Sequence, residues 1–220
     1  MCRKLRRSGS PEISDISREN VPDFRDVHVF EEEIILKRMK TKDLVLCAMF
    51  VALIAVGAFI KVPVPVVPFT LQFLFTMLAG LLLGPGNGAL AVVIYIVLGL
   101  AGLPIFTQGG GPSYIFQPSF GYIIGFAVAA YVTGRIANEK SHPGYGRLLA
   151  ANFIGLFIVY AFGMVYYYVI SNFVLNTPIG LWPLFLYCFL LAVPGDIALC
   201  ILAAAIGKRM IPMIREGRLG

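Results

Sequence analysis

Charge is what this chain has least of. Only 14% of its 220 residues are Asp, Glu, Lys or Arg, against about 25% in an ordinary soluble domain. Histidine is limited to His28 and His142, and the four cysteines Cys2, Cys47, Cys188 and Cys200 form no CxxC pair. These shortages leave no metal-ligand spacing and no disulfide framework. The last three cysteines read as buried small hydrophobes. The apolar body has no paired carboxylates, no Ser-His-Asp set and no Cys-His set, so neither catalysis nor a resident cofactor is expected. Gly109-Gly110-Gly111 follows no strand and precedes no Lys-Ser/Thr, which excludes a phosphate loop.

Apolar sequence is abundant: 58% of residues are hydrophobic and mean hydropathy is +0.82. The runs are continuous rather than alternating, so the backbone satisfies itself in lipid as helices and not as a barrel. Six segments stand out, at about 43–60, 70–83, 88–103, 120–136, 148–173 and 182–206. An all-α integral membrane protein with six transmembrane helices is expected. A straight crossing takes about 20 residues, so the second and third segments are short, which is tolerated where a segment lines a cavity. Residues 1–38 are polar and carry no apolar run. They read as a disordered tail, or as an extension upstream of a true start at Leu36 or Met39, and leave 39–220 as the membrane domain.

The net charge of +6 lies at segment ends. Lys40 and Lys42 precede the first segment, Arg135, Lys140 and Arg147 join the fourth to the fifth, and Lys208, Arg209 and Arg215 follow the sixth. With six crossings all of these fall on one side, which places both termini in the cytoplasm and makes anionic lipid, not nucleic acid, the electrostatic partner. The outer loops keep one basic residue, Lys61. They are rich in Pro, Gly and aromatics, too apolar to be freely solvated, and are expected to fold back as a lid.

Asp196 is the only acid between Trp182 and Ile206, and it sits in Ala192-Val193-Pro194-Gly195-Asp196. A carboxylate at membrane depth costs about 2.5–3.5 kcal/mol on insertion scales and ordinarily marks a substrate or ion site. Pro194 and Gly195 interrupt the helix beside it, so freed carbonyls and the acid meet at one place. The alternative is a kinked helix whose acid is hydrogen-bonded to a neighbour. Asn152 and Tyr160 lie at depth in the fifth segment, where an amide also serves as interhelical glue. Tyr166, Tyr167 and Tyr168 read as an interfacial belt. Ala48 and Ala52, four apart, permit close helix contact, either within the chain or with a partner. Gly80, Gly84 and Gly88 read as packing positions around the Pro85 turn, and the triple glycine as a turn or a binding loop.

Several motifs in order resemble the BioY family, the biotin-capturing S subunits of energy-coupling-factor (ECF) transporters. They are Ala48-x-x-x-Ala52, Pro63-Val64-Pro65 with Pro68-Phe69-Thr70-Leu71-Gln72, and Ala79-Gly80-Leu81-Leu82-Leu83-Gly84-Pro85. Gly99-Leu100-Ala101-Gly102-Leu103-Pro104-Ile105-Phe106, the Gly-rich loop, Pro118-x-x-Gly121-Tyr122 and Pro194-Gly195-Asp196 complete them. The resemblance covers about Met39 to Arg209. It implies a six-helix binding subunit without its own ATPase, partnered by a transmembrane coupling subunit and two cytoplasmic ATPases, with the Ala48/Ala52 face at the coupling contact.

It also implies biotin beneath the outer loops, with Asp196 near the ureido ring or its polar surroundings. The candidate contacts are Phe69, Thr70, Gln72, Gln108, Gly109, Gly110, Gly111, Tyr114, Gly121, Tyr122, Asn152 and Tyr160. Two places depart from the family pattern. The lysine usual three residues after the acid is Leu199 here, and Pro-Thr-Gly-Gly-Tyr is Pro118-Ser119-Phe120-Gly121-Tyr122. Lys61, or the amides of Gly109 to Gly111, are the candidates for meeting a ligand carboxylate instead. The same architecture would suit another vitamin-like molecule.

Overall fold

With no water in lipid to serve the backbone, the apolar segments close their own hydrogen bonds as helices. The computed structural model describes residues 41–62, 69–140 and 142–219. The expectations for the tail, and for Pro63, Pro65 and Pro68 of the first outer loop, lie outside these residues. The helices are α1 (Thr41–Phe59), α2 (Gln72–Leu83), α3 (Pro85–Leu100), α4 (Phe120–Asn138) and α5 (Tyr145–Val169). A sixth, interrupted helix follows as α6 (Leu181–Phe185) and α7 (Val193–Leu219). Four stretches are long and apolar enough to cross a membrane: Thr41–Phe59, Phe120–Asn138, Tyr145–Val174 and Leu181–Ile214.

The shorter of the two short helices, α2, has a physical reason to be short. At 1.5 Å per residue the 12 residues of α2 reach about 18 Å, against about 30 Å of hydrocarbon. All of α2 except Phe75 is buried, because α1, α3, α4 and α7 pack around it. A helix shielded from lipid need not match its thickness. Gly84, at φ +88°, turns the chain back, and Pro85 opens α3 where its missing N–H costs nothing. Gly88 lets α3 lie against α2: a Cβ there would stand 2.7 Å from the Ala79 carbonyl oxygen. Gly134 of α4 meets the same turn, 2.7 Å from the Gly80 oxygen by the same measure. Gly80, Gly84 and Gly88 therefore serve internal packing.

The last segment is broken one turn earlier than its proline suggests. After α6 come a π-helical turn at Leu186–Leu190 and a break at Leu191 and Ala192. Pro194 falls inside the first turn of α7 instead of ending a helix. The break puts Asp196 in that first turn, where the positive end of the helix dipole favours a carboxylate. A second π-helical turn, Ile170–Val174, ends α5, and Asn172 Nδ2 donates to the Tyr168 oxygen (2.9 Å) and the Ile179 oxygen (3.3 Å) to close the third outer loop. At the opposite end of the bundle Arg147 pairs with Glu139 and donates through Nε to the Ile136 oxygen at 2.8 Å.

Candidate functional site

The loop between α3 and α4 is built around one aromatic plug. Phe106 has no exposed surface and meets Tyr95 edge-on at 5.3 Å and Tyr114 at 4.5 Å. Its ring fills the place that a side chain at Gly99 would need. Tyr95 Oη donates to the Ile105 oxygen at 3.0 Å, and the Gly111 amide donates to the Gly99 oxygen at 2.7 Å. Gly109 and Gly111, at φ +115° and +106°, form the tight return that lets Phe106 and Gly109 exchange two backbone hydrogen bonds. A 3₁₀ turn, Pro112–Phe116, continues the lid, and Tyr166 Oη holds the Ile115 oxygen at 2.5 Å.

A short hairpin adds the other side. β1 (Lys61–Val62) pairs antiparallel with β2 (Phe69–Thr70), with Lys61 opposite Thr70. Lys61 Nζ donates to the Thr107 oxygen at 3.2 Å, fastening the lid to the hairpin. Thr107 and Tyr114 share a hydroxyl–hydroxyl bond of 3.0 Å.

Beneath this lid lies a cavity of about 60 Å³. At its base are Asp196, Tyr160, Tyr122, Cys188 and Ala192; its walls are Phe73, Ile123, Phe126 and Val159; on the lid side stand Thr70, Gln72, Thr107, Tyr114 and Ser119. Asp196 is 9% exposed. Tyr160 Oη donates to its Oδ2 at 2.5 Å, and the Tyr160 ring is held edge-on by Tyr122 at 5.9 Å and Phe189 at 5.3 Å. Tyr122 Oη donates to the Cys188 oxygen at 3.5 Å. Among the described residues the lining contains one formal charge, that of Asp196, and no Lys, Arg or His. Gln72 Nε2 and Ser119 Oγ are buried without a hydrogen-bond partner. The arrangement offers a carboxylate acceptor at the base, apolar walls, and hydroxyl and amide groups above.

Six of the residues singled out from sequence meet in this cavity: Thr70, Gln72, Tyr114, Tyr122, Tyr160 and Asp196. Others stand elsewhere. Gln108 is exposed, and Gly109, Gly110 and Gly111 shape the lid, with Gly110 pressed against the Leu103 carbonyl. Gly121 makes room for Tyr166. Phe69 supplies backbone to β2. Asn152 Nδ2 ties α5 to the Cys200 oxygen of α7 at 2.9 Å. Leu199 is buried and does not reach the lining. Ala48 and Ala52 lie on the exposed face of α1.

Phe73, Thr107, Ser119, Ile123, Phe126, Val159, Cys188 and Ala192 were missed. Helical spacing held a signal for three of them. Ser119 and Phe126 lie three before and four after Tyr122, and Ala192 lies four before Asp196, whose N–H donates to the Ala192 oxygen.

These features define an all-helical, multi-pass membrane protein with a lidded internal cavity. The chain belongs to the BioY family, whose family model matches residues 32–216. It is 47% identical over 184 residues to the probable biotin transporter BioY of Lysinibacillus sphaericus, spanning 84% of this chain and 94% of that one. It is 34% identical over 184 residues to the biotin transporter BioY of Rhizobium etli, covering 79% and 95% of the two chains. Among solved structures, the crystal structure at 2.1 Å of the S-component for biotin from an ECF-type ABC transporter superposes with a TM-score of 0.64 at 29% identity. That match covers 78% of this chain and 94% of the other.

Proposed function

We propose that this chain captures biotin as the substrate-binding S subunit of an ECF-type transporter in the cell membrane, with both termini cytoplasmic. The observation that carries the reading is the cavity itself. A Tyr160-supported carboxylate faces apolar walls beneath a lid, in a fold shared with a biotin S-component. A ureido ring presents N–H donors to an acceptor such as Asp196, and the sulfur ring and alkyl chain suit Phe73, Ile123, Phe126 and Val159. The transmembrane coupling subunit and two cytoplasmic ATPases enter as partners by kinship. The exposed, small-residue face of α1 supports a docking role. Binding of radiolabelled biotin to the detergent-purified chain tests the reading. Saturable binding displaced by unlabelled biotin is expected, and a folded chain with none would sink it.

A further inference from the structure

We infer that Gln72 and Ser119 hold the carboxylate of the ligand, so that this chain binds an acid without a cation; the inference rests on biotin being the ligand. Two kinds of acceptor cannot share the base of the cavity. Asp196 is the one charged group in the lining among the described residues, and a ligand carboxylate beside it would meet like charge in a poorly screened space. The ureido N–H groups belong at Asp196, which sends the acid toward the lid side.

The groups awaiting it there are donors. Gln72 is 2% exposed. Its side chain lies against the Tyr95 hydroxyl, whose own proton goes to the Ile105 oxygen; among the described residues Nε2, with two N–H groups, makes no hydrogen bond of normal geometry. Ser119 directly precedes α4 with helical backbone angles, φ −73° and ψ −12°, and so makes no cap bond. Its Oγ too is buried and unpaired. A buried polar atom left unpaired is costly and rare. Here there are two in one cavity, both able to donate.

Backbone electrostatics act in the same direction. Gln72 is the first residue of the 12-residue α2, and Ser119 immediately precedes the 19-residue α4. Neither start is closed by a side-chain cap. In α4 the Phe120 and Tyr122 amides are taken by the Gln117 and Ser119 carbonyls, so what the helix starts add beside these donors is their dipole, which favours anions. Asp196 occupies the first turn of α7, so each of the two acids has a helix end of its own. Lys61 is absent from the lining and reaches the Thr107 carbonyl from the exposed side of the lid.

The test is titration calorimetry on the full chain in detergent, with biotin and with biotinol, the alcohol that replaces the acid. Gln72→Met and Ser119→Ala each remove a donor at little change in volume. Each is expected to weaken biotin by about tenfold or more, as for a hydrogen bond to a charged group, and to leave biotinol nearly unchanged. Gln72→Glu, which sets a carboxylate against the acid, should abolish biotin binding while biotinol is retained. Equal losses for the two ligands, or no loss in either single variant, would overturn the inference while biotin binding by the parent chain stood. A parent chain that binds no biotin would instead remove the functional reading, and this inference with it. Thermal unfolding checks the fold, and Ser119→Ala, at a half-buried residue, carries the comparison should Gln72→Met fail to fold.

Discussion

Asp196 and Tyr160 form the pair on which the site turns, and each needs the other for a different reason. The carboxylate is 9% exposed, and its one hydrogen bond among the described residues comes from Tyr160. Asp196→Asn keeps shape and burial but replaces an anionic acceptor by a neutral amide. Biotin affinity is expected to fall by about 1.5–3 kcal/mol, the range for hydrogen bonds to charged groups, with the thermal midpoint held. Unchanged affinity in a folded variant would take Asp196 out of the site. Tyr160→Phe acts on the opposite partner. It strips the buried carboxylate of its donor, which costs stability by about 1–3 kcal/mol, read as a lowered unfolding midpoint without ligand. An unmoved midpoint would show that the hydroxyl does not support the acid. Asp196 was legible because a lone acid in an apolar run is conspicuous. Gln72 was legible through its motif, but neither its unpaired Nε2 nor that of Ser119 Oγ was, since a missing partner is a property of packing. Cys188 contributes its backbone oxygen to Tyr122, a role that no side-chain signal announces.

Between the elements, the sequence foretold the lid but not its fastenings. Proline, glycine and aromatic content marked the outer loops as folded back, yet it did not say that Phe106 would be the plug or Tyr166 a clamp on Ile115. The clamp joins residues 51 apart in the chain, and the plug depends on how one short loop folds on itself. Proline is the loudest local signal and points to an interruption at Pro194, whereas the break falls at Leu191 and Ala192, with a π-helical turn just before. Lys61 shows the same limit. Sequence singled it out as the cation of the outer side, and the structure gives it the Thr107 carbonyl as partner. The lid lies over the cavity, and the Lys61 bond to Thr107 ties it to the hairpin. Lys61→Met removes one of its fastenings. Dissociation of biotin and of biotin amide should quicken by the same factor in stopped-flow exchange. A selective loss of biotin would return the ammonium to the ligand carboxylate.

At the level of the molecule, the bundle sorts its surfaces by what must touch what. α2 is buried on nearly every side, α4 and α5 pack along their lengths, and α1 is only half used. Cys47, Phe50, Val51, Ile54, Gly57 and Ala58 of α1 face the bundle. Ala48 and Ala52 lie on the other face with Val45, Met49 and Val56, which are 62%, 47% and 52% exposed. Lipid would accept large side chains at every one of these positions. Two alanines four residues apart instead leave a shallow furrow through which another helix can approach closely. Nothing in the cavity depends on that furrow, since no residue of α1 lines it. Ala48→Leu and Ala52→Leu fill it without a change of charge or helix propensity worth more than a few tenths of a kcal/mol. Biotin affinity of the purified chain is therefore expected to stay as it was, whereas biotin uptake by cells that also express the coupling subunit and its ATPases should fall. Co-purification of those subunits with the variants should fall in parallel. Uptake at the parental rate would leave the furrow to lipid, and lost binding in the isolated chain would tie α1 to the cavity by a path that its packing does not show.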